Sequence, residues 1–465
     1  MSEDILWSSL REQVAAVTSS RVSAEALASG YLERIARIDP AYHAFVTLNP
    51  RALEDAREVD RQIAAGATPG LLAGACIAVK DNFATECCPT RAGTPDGLIE
   101  VPPGDAHLVR RLRAEGAVVI GKTRMHQLAW GNITAPANNP WSREHVPGGS
   151  SGGSAVAVAL GLCAGALGSD TGGSVRIPAA FCGTAGFKPT LGLLGRSGIV
   201  SHSWSLDHPG PITRTTDDAA LMMAAMVGAD AGDPYCQGRT PAFDLDAAPL
   251  DVTGLRIGVI RNHFGEQVSV EVRDACTRAT DWLVAQGARI TAFDVPELRF
   301  GLGAIFAIEL VSASAHFDAL VQSGRSAELE PDVRAMIEMG RLVSGVDYLH
   351  AERLRAVLCA RFAEIFSSVD ILITPTSPIT AWPHGASEIE IDGRVEKVLA
   401  ASWRFTYPFN LTGLPALSVP CGRDSDGLPI GLQIVAGAFD DERCLRAGLA
   451  LERAGAAGFE RPVGS

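Results

Sequence analysis

Apolar and polar positions follow two periods along this chain, and the switches between them mark its elements. Over residues 4–65 the helical period dominates. Ser23 and Glu25 precede Leu27, Tyr31, Leu32 and Ile35, which predicts a helix start near 22. From residue 70 onward, short apolar runs alternate with helical ones. ACIAVK at 75–80 predicts a strand, 104–116 a helix, and AVVIGKT at 117–123 a second strand. Residues 154–165 are small and apolar on every side, the pattern of a helix buried all round. A further helix is predicted over 216–228, followed by a Gly/Pro/Asp-rich connection over 230–249. LRIGVI at 255–260 reads as a strand, 270–286 as a helix, and 300–365 as mostly helical with no motif. VDILITPTSPIT at 369–380 gives a strand and loop, and ALSVPCG with GLQIVAG, at 416–422 and 431–437, gives a hairpin-like strand pair. No internal repeat is visible. Strands alternating with helices predict an α/β fold.

Composition narrows the function classes. The chain has 465 residues, 47% of them hydrophobic, enough for a sizeable core. A net charge of −13 argues against the basic footprint of a nucleic-acid binder or a polybasic membrane patch. The ten cysteines are scattered, with neither a zinc spacing nor a small disulfide framework. Cys87-Cys88 is the one adjacent pair, read as structural filler near the Lys80 segment. The N-terminus lacks a signal-peptide pattern, and the least polar runs, 154–168 and 219–228, are too short to span a bilayer. The expectation is a cytoplasmic enzyme.

Candidate chemistry concentrates in residues 147–178, PGGSSGGSAVAVALGLCAGALGSDTGGSVRIP. Two Gly-Ser clusters, holding Ser150 and Ser174, flank a small apolar run. Glycine beside serine allows sharp turns and brings bare N–H groups close to a ligand. Two such serines suggest a nucleophile and a proton relay, which need a base. Of the 40 basic residues only four are lysines: Lys80, Lys122, Lys188 and Lys397. Arginine stays charged, so a lysine retained against that bias points to an amine that must lose its proton. Lys80 is the best placed, because it ends a short apolar strand whose burial lowers an amine pKa.

With these residues in view, the chain resembles the amidase signature family, hydrolases with a Ser–cis-Ser–Lys triad. The resemblance rests on GACIAVKDN at 74–82, PGGSSGGSAVAVALG at 147–161, GSDTGGSVRIPAAFCGTAGFKPT at 168–190, SLDHPGPITR at 205–214, FNLTGLPALSVPCG at 409–422 and GLPIGLQIVAG at 427–437. The 24-residue spacing from Ser150 to Ser174 is also that of the family. The resemblance implies Ser174 as nucleophile, Ser150 as relay behind a cis Gly149–Ser150 bond, and Lys80 as base. The N–H groups of Thr171, Gly172, Gly173 and Ser174 would form the oxyanion hole. Ser151 and Arg176 would orient the triad. It implies no metal and no cofactor. For the fold it implies one amidase domain over 1–465, with a mixed central sheet covered by helices on both faces. Its parts are a helical arm (1–65), a signature core (70–215), a variable substrate wall (230–365) and a C-terminal part of the sheet (366–465).

Rival chemistries fit less well. Neither glycine cluster carries the lysine of a P-loop. G-x-S-x-G occurs at 148–152, but His202 and His208 read as loop or pocket-wall residues rather than a base. Where family members often carry an acidic residue before the signature, this chain has Gln127; Met125, Gln127, Trp130 and Ile133 are the candidate substrate-pocket residues. The function expected on these grounds is a stand-alone hydrolase of small or aryl amides, extending to carbamates, hydrazides or esters. It would be a monomer or homodimer acting on a small molecule, without nucleic acid or membrane. The alternative is the glutaminase component of a glutamyl-tRNA(Gln)/aspartyl-tRNA(Asn) amidotransferase, its A chain, acting within a complex. It is set second because such chains carry a Y-D-G-x-R-type segment where this one has Ala315-His316-Phe317-Asp318-Ala319-Leu320.

Overall fold

The computed structural model describes residues 3–241, 243 and 250–462. Part of the connection predicted over 230–249 therefore lies outside the described residues. The first third holds α1 (Asp4–Trp7), α2 (Leu10–Thr18), α3 (Ala24–Ile38), β1 (Phe45–Leu48), α4 (Ala52–Ala64), β2 (Cys76–Lys80), α5 (His107–Ala114) and β3 (Val118–Thr123). The signature region adds α6 (Gly152–Ala159), β4 (Gly165–Asp170), α7 (Arg176–Cys182), β5 (Ala185–Lys188), β6 (His208–Thr213) and α8 (Thr216–Met226). Then come β7 (Arg256–Ile260), α9 (Val270–Ala285), β8 (Arg289–Phe293), α10 (Gly301–His316), α11 (Asp318–Gln322), α12 (Pro331–Gly340) and α13 (Gly345–Ser368). The chain closes with β9 (Ile371–Pro375), β10 (Glu388–Ile391), β11 (Arg394–Lys397), α14 (Val398–Trp403), α15 (Tyr407–Leu411), β12 (Ala416–Arg423), β13 (Pro429–Ala436) and α16 (Asp441–Arg453).

Eleven strands form one sheet in the order β1-β3-β2-β4-β6-β5-β12-β13-β9-β7-β8, and β10 with β11 makes a separate hairpin. The sheet is mixed. β2 runs parallel to β3 and β4, and β7 to β8 and β9, while β4–β6 and β5–β12–β13–β9 are antiparallel. This is the α/β architecture that the alternating pattern and the resemblance imply. The N-terminal stretch differs from its all-helical reading. Phe45–Leu48 leaves the helices and pairs antiparallel with β3 at the sheet edge.

Local chemistry explains the elements around the site. The predicted start near 22 is real: Ser23 caps α3 by accepting from the Ala26 N–H at 3.0 Å. Every residue of α6 is buried, and the helix lies against β4, β2 and α7. Only small side chains allow that approach. A Cβ on Gly153 would fall 2.5 Å from both the Ala44 and Arg124 carbonyl oxygens. One stretch, Pro296–His316, is long and apolar enough to cross a membrane by length and composition. Here α10 within it packs against α12, α13 and α15 as a core helix.

Candidate active site

β2 and β4 are adjacent and parallel, so their carboxyl ends open side by side, the usual place for a ligand in such sheets. Lys80 ends β2 and Asp170 ends β4. The Lys80 side chain is fully buried, and its Nζ donates to Ser150 Oγ at 2.7 Å, to Ser169 Oγ at 2.9 Å and to the Ser169 carbonyl at 3.3 Å. Burial lowers the lysine pKa to about 7, against the pull of the Asp170 and Asp207 carboxylates toward the charged form. The Gly149–Ser150 peptide bond is cis. Sequence reasoning misses Ser169. This residue completes the cradle of the amine and also accepts from Asn82 Nδ2 at 3.1 Å. Its place inside GSDTGGS is the signal that could have found it.

Ser174 lies in the loop between β4 and α7. It is 5% exposed, and its hydroxyl donates to no group among the described residues. Its carbonyl accepts from the Ser151 N–H at 3.2 Å, which locks the two serine clusters together. The Ser151 hydroxyl donates to the Ser169 carbonyl at 3.2 Å and accepts from the Ser169 N–H at 3.3 Å. The backbone N–H groups of Thr171, Gly172, Gly173 and Ser174 have no acceptor among the described residues. Four free donors in succession form a concave positive surface suited to a negative oxygen. Gly173 makes the turn at φ +143°, and a Cβ there would clash with Thr406 Oγ1.

A buried brace fixes this loop. Arg176 is fully buried; its Nε and Nη2 donate to the two Asp170 oxygens at 2.9 and 2.8 Å. It also reaches the Thr406 carbonyl (3.0 Å), Gln433 Oε1 (2.7 Å) and Asn410 Oδ1 (2.7 Å). Burial alone would raise the Asp170 pKa, but the Arg176 guanidinium outweighs it and holds the carboxyl below the usual carboxylate range. The segments at 409–422 and 427–437 thus anchor the serine loop through Asn410 and Gln433.

The remaining predicted residues are divided. Met125 and Trp130 share an apolar cluster with Leu98, Val200, Phe317 and Leu320. Those last four also line a cavity of about 740 Å³. Gln127 is spent on backbone: it accepts from the Glu330 N–H at 2.7 Å and donates to the Gly93 carbonyl at 3.2 Å. Ile133 packs on a different cluster with Phe306 and Trp403. His202 meets the Leu128 carbonyl through Nδ1 and sits edge-on to Trp130 at 4.2 Å. His208 meets the Leu206 carbonyl. Both are buried, and desolvation lowers both pKa values, which favours the neutral imidazole. No group of three or more metal-ligating side chains occurs among the described residues.

Comparison with known proteins bears on the function. The A chain of glutamyl-tRNA(Gln) amidotransferase from Thermosynechococcus vestitus is 39% identical, covering 93% of this chain and 94% of that one. The corresponding A chain from Thermotoga maritima superposes with a TM-score of 0.82 at 30% identity, over 100% of both chains. A chain from the vestigial protein complex tied to the evolutionary origins of an s-triazine catabolic enzyme gives a TM-score of 0.90 at 33% identity, over 97% of this chain and 100% of that one. These likenesses correct the expected function. A stand-alone hydrolase of small amides, carbamates, hydrazides or esters is not what whole-length similarity to amidotransferase A chains supports. The expected monomer or homodimer acting without nucleic acid falls with it. The physical reason is that the catalytic blocks encode amide cleavage and not the company the chain keeps. Six residues at 315–320 weigh less than likeness along the whole chain. The family model described as Amidase matches residues 26–445, and with the site above in place the chain belongs to the amidase signature family.

Proposed function

We propose that this chain is the amide-cleaving component of a glutamyl-tRNA(Gln) amidotransferase, releasing ammonia from glutamine in the cytoplasm as one part of a complex. The observation that carries the chemistry is the buried Lys80 amine 2.7 Å from Ser150 Oγ. The whole-length likeness to amidotransferase A chains supports the substrate and the company.

In this reading neutral Lys80 takes the Ser150 proton, and Ser150 takes the proton of Ser174 as that oxygen attacks the carboxamide carbon. Ser174 Oγ is unbonded at rest and closes onto Ser150 when substrate arrives; such bonds often tighten only in the complex. The N–H groups of Thr171 to Ser174 hold the negative oxygen, and losing one such donor costs about 10²–10³ in rate. Collapse breaks the C–N bond, and the proton returns through Ser150 to the departing ammonia. Water then attacks the acyl-enzyme by the same relay and frees the acid and Ser174. Ser151 and Arg176 position the loops; neither touches the reacting atoms.

The test uses the full chain, alone and with its partner proteins. Ammonia release from glutamine that disappears in Ser174→Ala, with glutamine-dependent amidation of glutamyl-tRNA in the complex, is the expected result. Cleavage of unrelated amides with no glutamine-derived ammonia in the complex would overturn the reading.

A further inference from the structure

Glu309 is a buried carboxyl near the site that the chemistry above leaves unused. It projects from α10, is 1% exposed, and its Oε2 is buried without a hydrogen-bond partner. No lysine, arginine or histidine pairs with it among the described residues. Its Oε1 lies 3.4 Å from where a Cβ on Gly172 would sit, so the carboxyl lies beside the loop that carries the free N–H groups. The neighbouring buried positions of α10 are Ala304, Ile305, Ile308 and Ala313, an environment a leucine or methionine would fill without penalty. A buried carboxyl left unsatisfied in such a setting calls for a missing partner.

The surroundings define that partner. A positively charged donor is the partner that would both satisfy this oxygen and favour the ionised carboxylate against its burial. Burial, together with the nearby Asp207 and Asp170 carboxylates, pushes the Glu309 pKa well above the ordinary range. Asp207 is occupied, accepting from Thr171 Oγ1 at 2.6 Å, Ser201 Oγ at 2.9 Å and the N–H groups of His202 and Ser203. The guanidinium of Arg176 is occupied by Asp170, Thr406, Asn410 and Gln433. The carboxyls of Asp170, Asp207 and Glu309 thus gather near the catalytic loop, and of the three only Glu309 has an oxygen without a partner.

We propose that Glu309 is a specificity-determining residue that binds an ammonium group on the substrate, so that the site selects amino-acid amides over their desamino counterparts. This rests on the reading of Ser174 as the amide-cleaving centre. Burial and the neighbouring carboxylates favour the protonated carboxyl in the absence of substrate. When the ammonium arrives, the proton leaves to solvent and a charge-assisted hydrogen bond takes its place.

The test compares glutamine with 4-carbamoylbutanoate, the same amide without the amino group, on the chain with its partner proteins. A hydrogen bond to a charged group predicts a wild-type kcat/KM preference for glutamine of roughly 10–150-fold, carried mainly by KM. In Glu309→Gln that preference falls toward one. A Glu309→Gln loss of equal factor on both amides, preserving the ratio, overturns the proposal, as does a wild type without preference. If the wild type cleaves neither amide, the reading of Ser174 fails, and binding to the Ser174→Ala chain decides Glu309 separately. Tighter calorimetric binding of glutamine than of the analogue, abolished by Glu309→Gln, supports it; equal binding of the two overturns it.

Discussion

The carboxyl edge of β2 and β4 and the helical wall of α10 to α13 are built on opposite terms. At the edge, Lys80, Ser150, Ser151, Ser169, Asp170 and Arg176 are all buried, and each is held by hydrogen bonds. In the wall, Leu342 is 84% exposed, Val346 63% and Leu349 61%, while Glu309 is buried with its Oε2 unpartnered. Saturated networks fix a geometry to fractions of an ångström, which proton transfer requires. Unsaturated surfaces and cavities are where a molecule meets something else. On the proposed reading, the reaction is housed in the first region and its specificity in the second.

The comparison can be broken by substitutions in each region. Ser174→Ala removes the attacking atom; turnover should fall by more than about 10⁴-fold with the thermal midpoint unchanged, as steady-state kinetics and calorimetry would show. Retained turnover would mean that the chemistry does not sit at this edge. Lys80→Arg keeps a cation but no base, and a drop of about 10²–10⁴-fold in kcat is expected from rapid-quench or ammonia-release assays. Arg176→Met leaves Asp170 buried and unpaired, so denaturant unfolding should show about 3–5 kcal/mol of lost stability. The pH profile sharpens the same point. The Lys80 pKa is lowered to about 7, so the amine is protonated and useless below that value. The rate should fall about tenfold per pH unit on the acid side of about 7 and level off above it. The smallest effect belongs to the wall: Leu342→Ser should change stability by no more than about 0.5 kcal/mol.

How far the sequence reveals this molecule depends on whether the signal is local. Lys80, Ser150 and Ser174 sit in or beside segments whose composition is itself unusual, and in the structure Lys80 Nζ lies 2.7 Å from Ser150 Oγ. Scarcity of lysine is a weaker guide to a base. Lys122 is equally buried but pairs with Asp81 at 3.2 Å and donates to Thr90 Oγ1 at 2.6 Å. Lys188 has its pKa lowered by burial to about 7, yet donates only to the Pro189 and Leu414 carbonyls, at 3.1 and 2.5 Å. A compact ammonium on a thin stem suits a buried cap as well as a buried base, and sequence does not separate the two. β1 is four residues long between helices, too short for its period to register. β8 is mostly exposed and lacks the apolar run that reveals central strands. Glu309 lies in a largely apolar helix, where only the packing of α10 beside Gly172 gives it meaning. The substrate has no local signature, so a comparison confined to 315–320 misleads.

The grip of Arg176 on Thr406, Asn410 and Gln433 ties residues near the middle of the chain to others emerging from the ribosome some 230 to 257 positions later. A nascent or prematurely terminated polypeptide cannot finish that clasp, so its serine loop keeps only its local ties to Asp170 and Ser151. The brace around the serine loop is therefore complete only once the chain as far as Gln433 is in place.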